Sequence, residues 1–198
     1  MRFRNDAVRL LAMLGALWLS LSAAPAFAAV QITFYSKELG ASFPHTFVTV
    51  EGAPDRGGPR IDEDYGFSAK TISPAILMGR VKGEVISDHS PSYVRGSDKH
   101  FTMTLSDSEY DRVLATIEHW RKRSQPTYDL DRQNCIHFVA DIARSIGLTA
   151  DVPKQLVRKP RSYVEWLTAS NVKLLQDRSA TLYRAKSGAA KRGRAEQR

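Results

Sequence analysis

The single cysteine, Cys135, stands in the run Tyr128-Asp-Leu-Asp-Arg-Gln-Asn-Cys-Ile-His-Phe-Val-Ala-Asp141. Asn134 is a good N-cap, which places Cys135 in the first turn of a helix. Unpaired backbone N–H groups and the positive end of the helix dipole gather there. Both favour thiolate over thiol, so the position predicts a Cys pKa lowered by roughly one to several units. The same N–H groups can donate to an oxyanion forming at an attacked carbonyl. The competing role is a small buried hydrophobe, because Cys135 also continues the apolar stripe Phe138, Val139, Ile142 and Ile146.

A thiolate enzyme needs a base, and the chain has five histidines. His137 lies two residues beyond Cys135, about 200° around the helix, on a face with Asp141, Arg144 and Ser145 that reads as solvated. His119 falls on the polar side of the preceding helix, His89 in a polar loop, and His100 at a strand start beside Lys99. His45 differs from these. It opens an apolar strand directly after Pro44, where a strand end can deliver an imidazole to a neighbouring helix terminus. A strand-end histidine held by a backbone carbonyl is its structural alternative.

The elements that must position these residues follow from periodicity. Residues 30–35 and 45–51 read as strands, 52–59 as a loop, and 65–70 as a strand returning antiparallel to the second. Residues 80–87 and 100–105 read as two more strands around the polar loop 88–99. Ser106-Asp-Ser-Glu109 is a capping box, followed by Tyr110, Val113, Leu114, Ile117 and Trp120 at helical spacing. A second helix runs from Cys135 to Ile146, with Gly147 as its stop, and a third starts at Pro160. The fold class is α+β, an antiparallel β-meander packed against helices.

Composition narrows the function classes. One cysteine excludes an internal disulfide scaffold and a multi-thiolate zinc site. The acidic run Asp62-Glu63-Asp64 lacks spaced partners for a cation, and phosphate-cradling glycine loops, Gly-x-Ser-x-Gly and His-Glu-x-x-His are absent, so no cofactor or metal is expected. Arg2, Arg4 and Arg9, the uncharged stretch 10–21 and Ala26-Phe27-Ala28 read as a signal peptide over 1–28, cleaved after Ala28, with an exported, periplasmic or secreted product. The net charge of +8 sits at the ends: residues 178–198 carry +6, and 29–177 are neutral. A domain over 29–177 with a basic, disordered tail over 178–198 follows, the tail being a candidate contact for anionic envelope polymers or a membrane surface. Nucleic-acid binding by the core has no support in charge or motif.

A His at the start of a strand, a meander, and then Asn-Cys-x-x-Phe-Val opening a buried helix together resemble the circularly permuted branch of the papain-like NlpC superfamily. There the His precedes the Cys, as His45 precedes Cys135 here, an order shared by the lecithin retinol acyltransferase-like proteins and several bacterial periplasmic families. The resemblance covers roughly residues 30–148. Unpermuted NlpC enzymes usually show Asp-Cys-Ser-Gly-Phe-Val where this chain has Asn-Cys-Ile-His-Phe-Val. The likeness implies a papain-like fold and a cysteine peptidase or amidase in which Cys135 attacks an acyl carbon and His45 takes its proton. An amide-containing substrate, such as a peptidoglycan peptide, follows, with acyltransferase as a variant. The family also places a third polar residue on the strand after the His; in a 45–51/64–70 hairpin that position falls near residues 66–68. Ser68 is the polar side chain there, and Asp64 or Glu51 becomes reachable in another register. The departure leaves open a non-catalytic envelope-binding domain of the same fold.

Overall fold

The computed structural model describes residues 29–38, 43–122 and 127–184. The predicted signal peptide over 1–28, and residues 185–198 of the predicted tail, lie outside them. Alternating β-branched and aromatic residues build Gln31–Lys37 (β1), His45–Gly52 (β2), Ile61–Ala69 (β3) and Val81–Ile86 (β4), four consecutive antiparallel neighbours. After β4 the chain passes through a short helix, Pro91–Arg95 (α1), and crosses to the opposite side of this meander. Asp98–Thr104 (β5) then pairs with β1. The two-residue strands Thr127–Tyr128 (β6) and Thr181–Leu182 (β7) complete a seven-stranded antiparallel sheet, ordered β6-β4-β3-β2-β1-β5-β7.

One face of the sheet carries Ile32, Phe34, Val48, Val50, Tyr65, Phe67, Phe101 and Met103, all buried. Against it pack Asp107–Lys122 (α2), Cys135–Ser145 (α3) and Pro160–Ser170 (α4), followed by Val172–Asp177 (α5). Trp120 of α2 meets Phe67 and Phe138 edge-on, at ring-centroid distances of 4.7 and 5.4 Å. Among the described residues no helix is long and apolar enough to cross a membrane. The α+β class with an antiparallel sheet is therefore observed.

Two boundaries differ from expectation. Strand β3 starts at Ile61, so Asp62-Glu63-Asp64 alternates across a strand instead of edging a loop. The fold also continues past residue 177. Arg178 bonds Glu109 of α2 and the carbonyls of Thr104 and Ile146, and β7 then pairs with β5. A guanidinium with these partners is a structural tie, so the start of the predicted tail belongs to the folded part.

Asn134 explains how α3 is seated. Its Oδ1 accepts from the N–H groups of Ile136 (2.9 Å) and His137 (3.3 Å), and its Nδ2 donates to the carbonyls of Leu130 (2.6 Å) and Val157 (2.7 Å). The first pair caps the helix; the second ties it to two loops. Asp and Ser are good caps in general, but neither supplies two donors. Asn134→Asp would set a carboxylate oxygen against the two part-buried carbonyls of Leu130 and Val157. It is expected to lower stability by about 2 kcal/mol or more, checked by urea unfolding; a loss near zero would show that the cap alone matters.

Candidate active site

The start of α3 and the start of β2 meet at one cavity of about 790 Å³, lined by Cys135, His45, Ser68, His89, Tyr93 and Tyr128 among mostly apolar side chains. Cys135 is buried, and its sulfur receives backbone hydrogen bonds from Thr46, Ile136 and Cys135 itself. These N–H groups favour thiolate. Burial outweighs them and pushes the thiol up to about 11. The lowered pKa expected from the helix terminus is thus corrected: Cys135 opens the helix as expected, but it is buried.

His45 arrives from the other side of the strand. Residues two apart in a strand share a face, so His45 and Phe47 point away from the face that carries Val48 and Val50. Phe47 stacks on Tyr35 (5.0 Å) and on His89 (4.6 Å), and Tyr93 of α1 stacks on His89 (4.9 Å). The ring of His45 joins this aromatic group, and no hydrogen bond links it to Cys135. The two predicted residues share the cavity by lying on either side of the end of β2, with the sulfur bonded to the backbone of the very next residue, Thr46. Burial, reinforced by repulsion from His89, lowers the His45 pKa to about 3, so its imidazole is neutral at ordinary pH.

His89 was not legible as a site residue. The loop after β4 folds it back over β3, where its ring lies 5.5 Å from that of His45. The Nδ1 of His89 is bonded to the carboxylate of Asp64, whose Oδ1 also meets the His89 backbone N–H at 3.4 Å. A carboxylate at Nδ1 fixes the proton on that nitrogen and leaves Nε2 as an acceptor. The Nε2 atoms of His45 and His89 are both buried and, among the described residues, both without a partner. Gly66 makes the room. A Cβ there would lie 2.6 Å from His45 Nε2 and 3.2 Å from His89 Cε1. Its smallness could have been noticed in sequence, but only the register Phe47↔Gly66 gives it meaning.

The remaining candidates sort by geometry. Ser68 lines the cavity, without a hydrogen bond to His45. Asp64 lies opposite Thr49 and serves His89. Glu51 is at the far end of β2 and contacts Thr49, so a third-residue role for it is excluded by six residues of extended strand. His137 is half-buried and completes the capping box with Asn134, in place of a solvated position. His100 is buried and bonded to Ser36 (2.8 Å). Among the described residues no cluster of three or more His, Cys, Asp or Glu could hold a metal ion.

Comparison with protein-family models, with curated proteins and with solved structures finds no match.

The lowered His45 pKa carries a stability consequence. Between about 3 and the ordinary 6.5, the unfolded chain binds a proton that the folded chain refuses, so this contribution is complete above pH 6.5 and lost as pH falls toward 3. From pH 7 to pH 5 the parent should lose about 2 kcal/mol more than His45→Gln, measured by urea unfolding at each pH. Equal losses would place His45 in a solvated setting.

Proposed function

We propose that the protein is a cysteine-dependent acyl-transfer enzyme, a hydrolase of an amide bond with a permuted papain-like, NlpC-type arrangement. One observation carries this reading: a single cavity gathers a thiol at a helix N-terminus and two imidazoles whose buried Nε2 atoms have no partner among the described residues. Buried polar atoms without partners are uncommon, and catalytic sites are among the places where they persist.

In this reading Cys135 Sγ attacks the acyl carbon while its proton passes to His45, and the carbonyl oxygen gathers negative charge near the Cys135 N–H, which Asn134 does not occupy. The C–N bond breaks as the imidazolium returns its proton to the leaving amine, giving a thioester on Cys135. Water, deprotonated by His45, then breaks the thioester, releasing the carboxylic acid and restoring the thiol. Because His45 Nε2 lies against Gly66, its Nδ1 is the nitrogen assigned to the thiol. The third role falls to His89, whose ring lies beside that of His45 while Asp64 holds its Nδ1. The centroids of the two imidazole rings are 5.5 Å apart. The family's strand residue is replaced here by a side chain from a loop.

An exported, periplasmic setting and a cell-wall peptide substrate belong to the same proposal. The apolar lining, which includes Ile76, Ile86, Leu130, Ile136 and Val157, supports an apolar flank on the acyl side and keeps transfer to an acceptor other than water within it. A non-catalytic binding domain using the same cavity is the second reading. The raised thiol pKa and the lack of a Cys135–His45 hydrogen bond favour it.

The test is to expose the chain to muropeptides and to a panel of N-acyl amides and look by mass for an acyl adduct on Cys135. An adduct is expected. His45→Ala should form it about a hundredfold more slowly, and His89→Ala about tenfold more slowly with a shifted pH profile. Turnover that survives Cys135→Ala would end the catalytic reading.

A further inference from the structure

Between β3 and β4 the chain leaves the sheet as a protrusion, closed at its base by a hydrogen bond from the Lys70 N–H to the Lys82 carbonyl (2.8 Å). Its tip is a 3-10 turn, Pro74–Leu77, anchored by the buried Ile76. Around that anchor Ile72, Leu77 and Met78 are exposed by 56%, 71% and 89%. Phe43, before β2, is half exposed and lines the same cavity as Ile72 and Leu77. Large apolar side chains gathered at one rim mark a contact surface, whereas scattered ones do not.

The charged residues of the two segments that flank this rim are all cationic. Residues 70–82 contain Lys70, Arg80 and Lys82 and no carboxylate; residues 152–160, across the cavity, contain Lys154, Arg158 and Lys159 and no carboxylate. Arg80 and Arg158 are engaged by Asp129 and Asp131, which leaves four exposed lysines flanking the apolar tip. A second copy docking through this rim would set lysine against lysine. An anionic partner faces no such opposition, and apolar tips above a tier of lysines match the depth profile of a bilayer leaflet: acyl chains inside, headgroup phosphates outside.

We propose that this rim docks on an anionic phospholipid surface, with Leu77 and Met78 seated among acyl chains and the lysines of residues 70, 82, 154 and 159 at the phosphates. The cavity holding Cys135 then opens toward the membrane. Docking does not depend on the catalytic reading and is measured separately from it.

The experiment uses the full chain carrying Met78→Trp, compared with the parent, on vesicles of phosphatidylglycerol with phosphatidylcholine and of phosphatidylcholine alone. The difference in emission is expected to shift to the blue and to be quenched by brominated acyl chains on the phosphatidylglycerol vesicles. Because the reporter is at residue 78, attraction from the basic end of the chain does not produce this signal. Leu77→Ser combined with Met78→Ser should weaken vesicle binding about tenfold without lowering Tm, since both side chains are exposed. Emission that stays unmoved on phosphatidylglycerol vesicles, whether or not the chain sediments with them, would overturn the proposal. So would a double substitution that leaves vesicle binding intact and turns a dimer into a monomer in sedimentation, which would make the occupant a second copy.

Discussion

Desolvation is the constraint on which the site depends. Cys135 and His45 are both buried so fully that each rests in its neutral form, against the pull of three backbone N–H groups on the sulfur. Among the described residues, the carboxylate bonded to one of these imidazoles is Asp64, on His89. Charge separation between thiol and imidazole is therefore unfavourable until something changes the cavity: a polar acyl group entering it, or the two imidazoles closing on one another. A thiol kept protonated until substrate arrives is also protected from oxidation, which attacks thiolates first.

The fold serves that constraint through three local devices. Asn134 fixes the helix end by four hydrogen bonds to two helix N–H groups and two loop carbonyls. Gly66 leaves a gap in β3 into which two imidazoles lean. Phe47 and Tyr93 pack against His89 and against one another, covering its ring. The gap at Gly66 depends on the sheet register, because a slip of one residue would move Gly66 and His45 to opposite faces.

What sequence could show was local. Asn134 as a cap, Cys135 in the first helical turn and His45 opening β2 are signals carried by neighbouring residues, and each element is observed where its pattern placed it. What it could not show was tertiary. The pKa of Cys135 is set by burial, which outweighs the helix end visible in the chain. His89 reads as a loop residue because its partner Asp64 is twenty-five positions away and meets it only once β4 has paired with β3. The pairing of β5 with β1 is likewise invisible in strands that look like one continuous meander. Arg178 reads as tail charge until Glu109 and two carbonyls claim it.

The central claim is that Cys135 reacts as one partner of a thiol–imidazole pair. The most direct measurement is the rate of Cys135 alkylation by iodoacetamide from pH 5 to pH 11, in the parent and in His45→Ala. Thiol with neutral imidazole and thiolate with imidazolium hold the same number of protons, so a coupled pair gives a slow rate that is level across neutral pH. That rate then climbs toward the thiol's own titration near 11. This level region is expected in the parent and its loss in His45→Ala, where the rate should fall about tenfold for each pH unit below the thiol's titration. Identical profiles in the two proteins would contradict it, and would leave Cys135 a buried structural thiol.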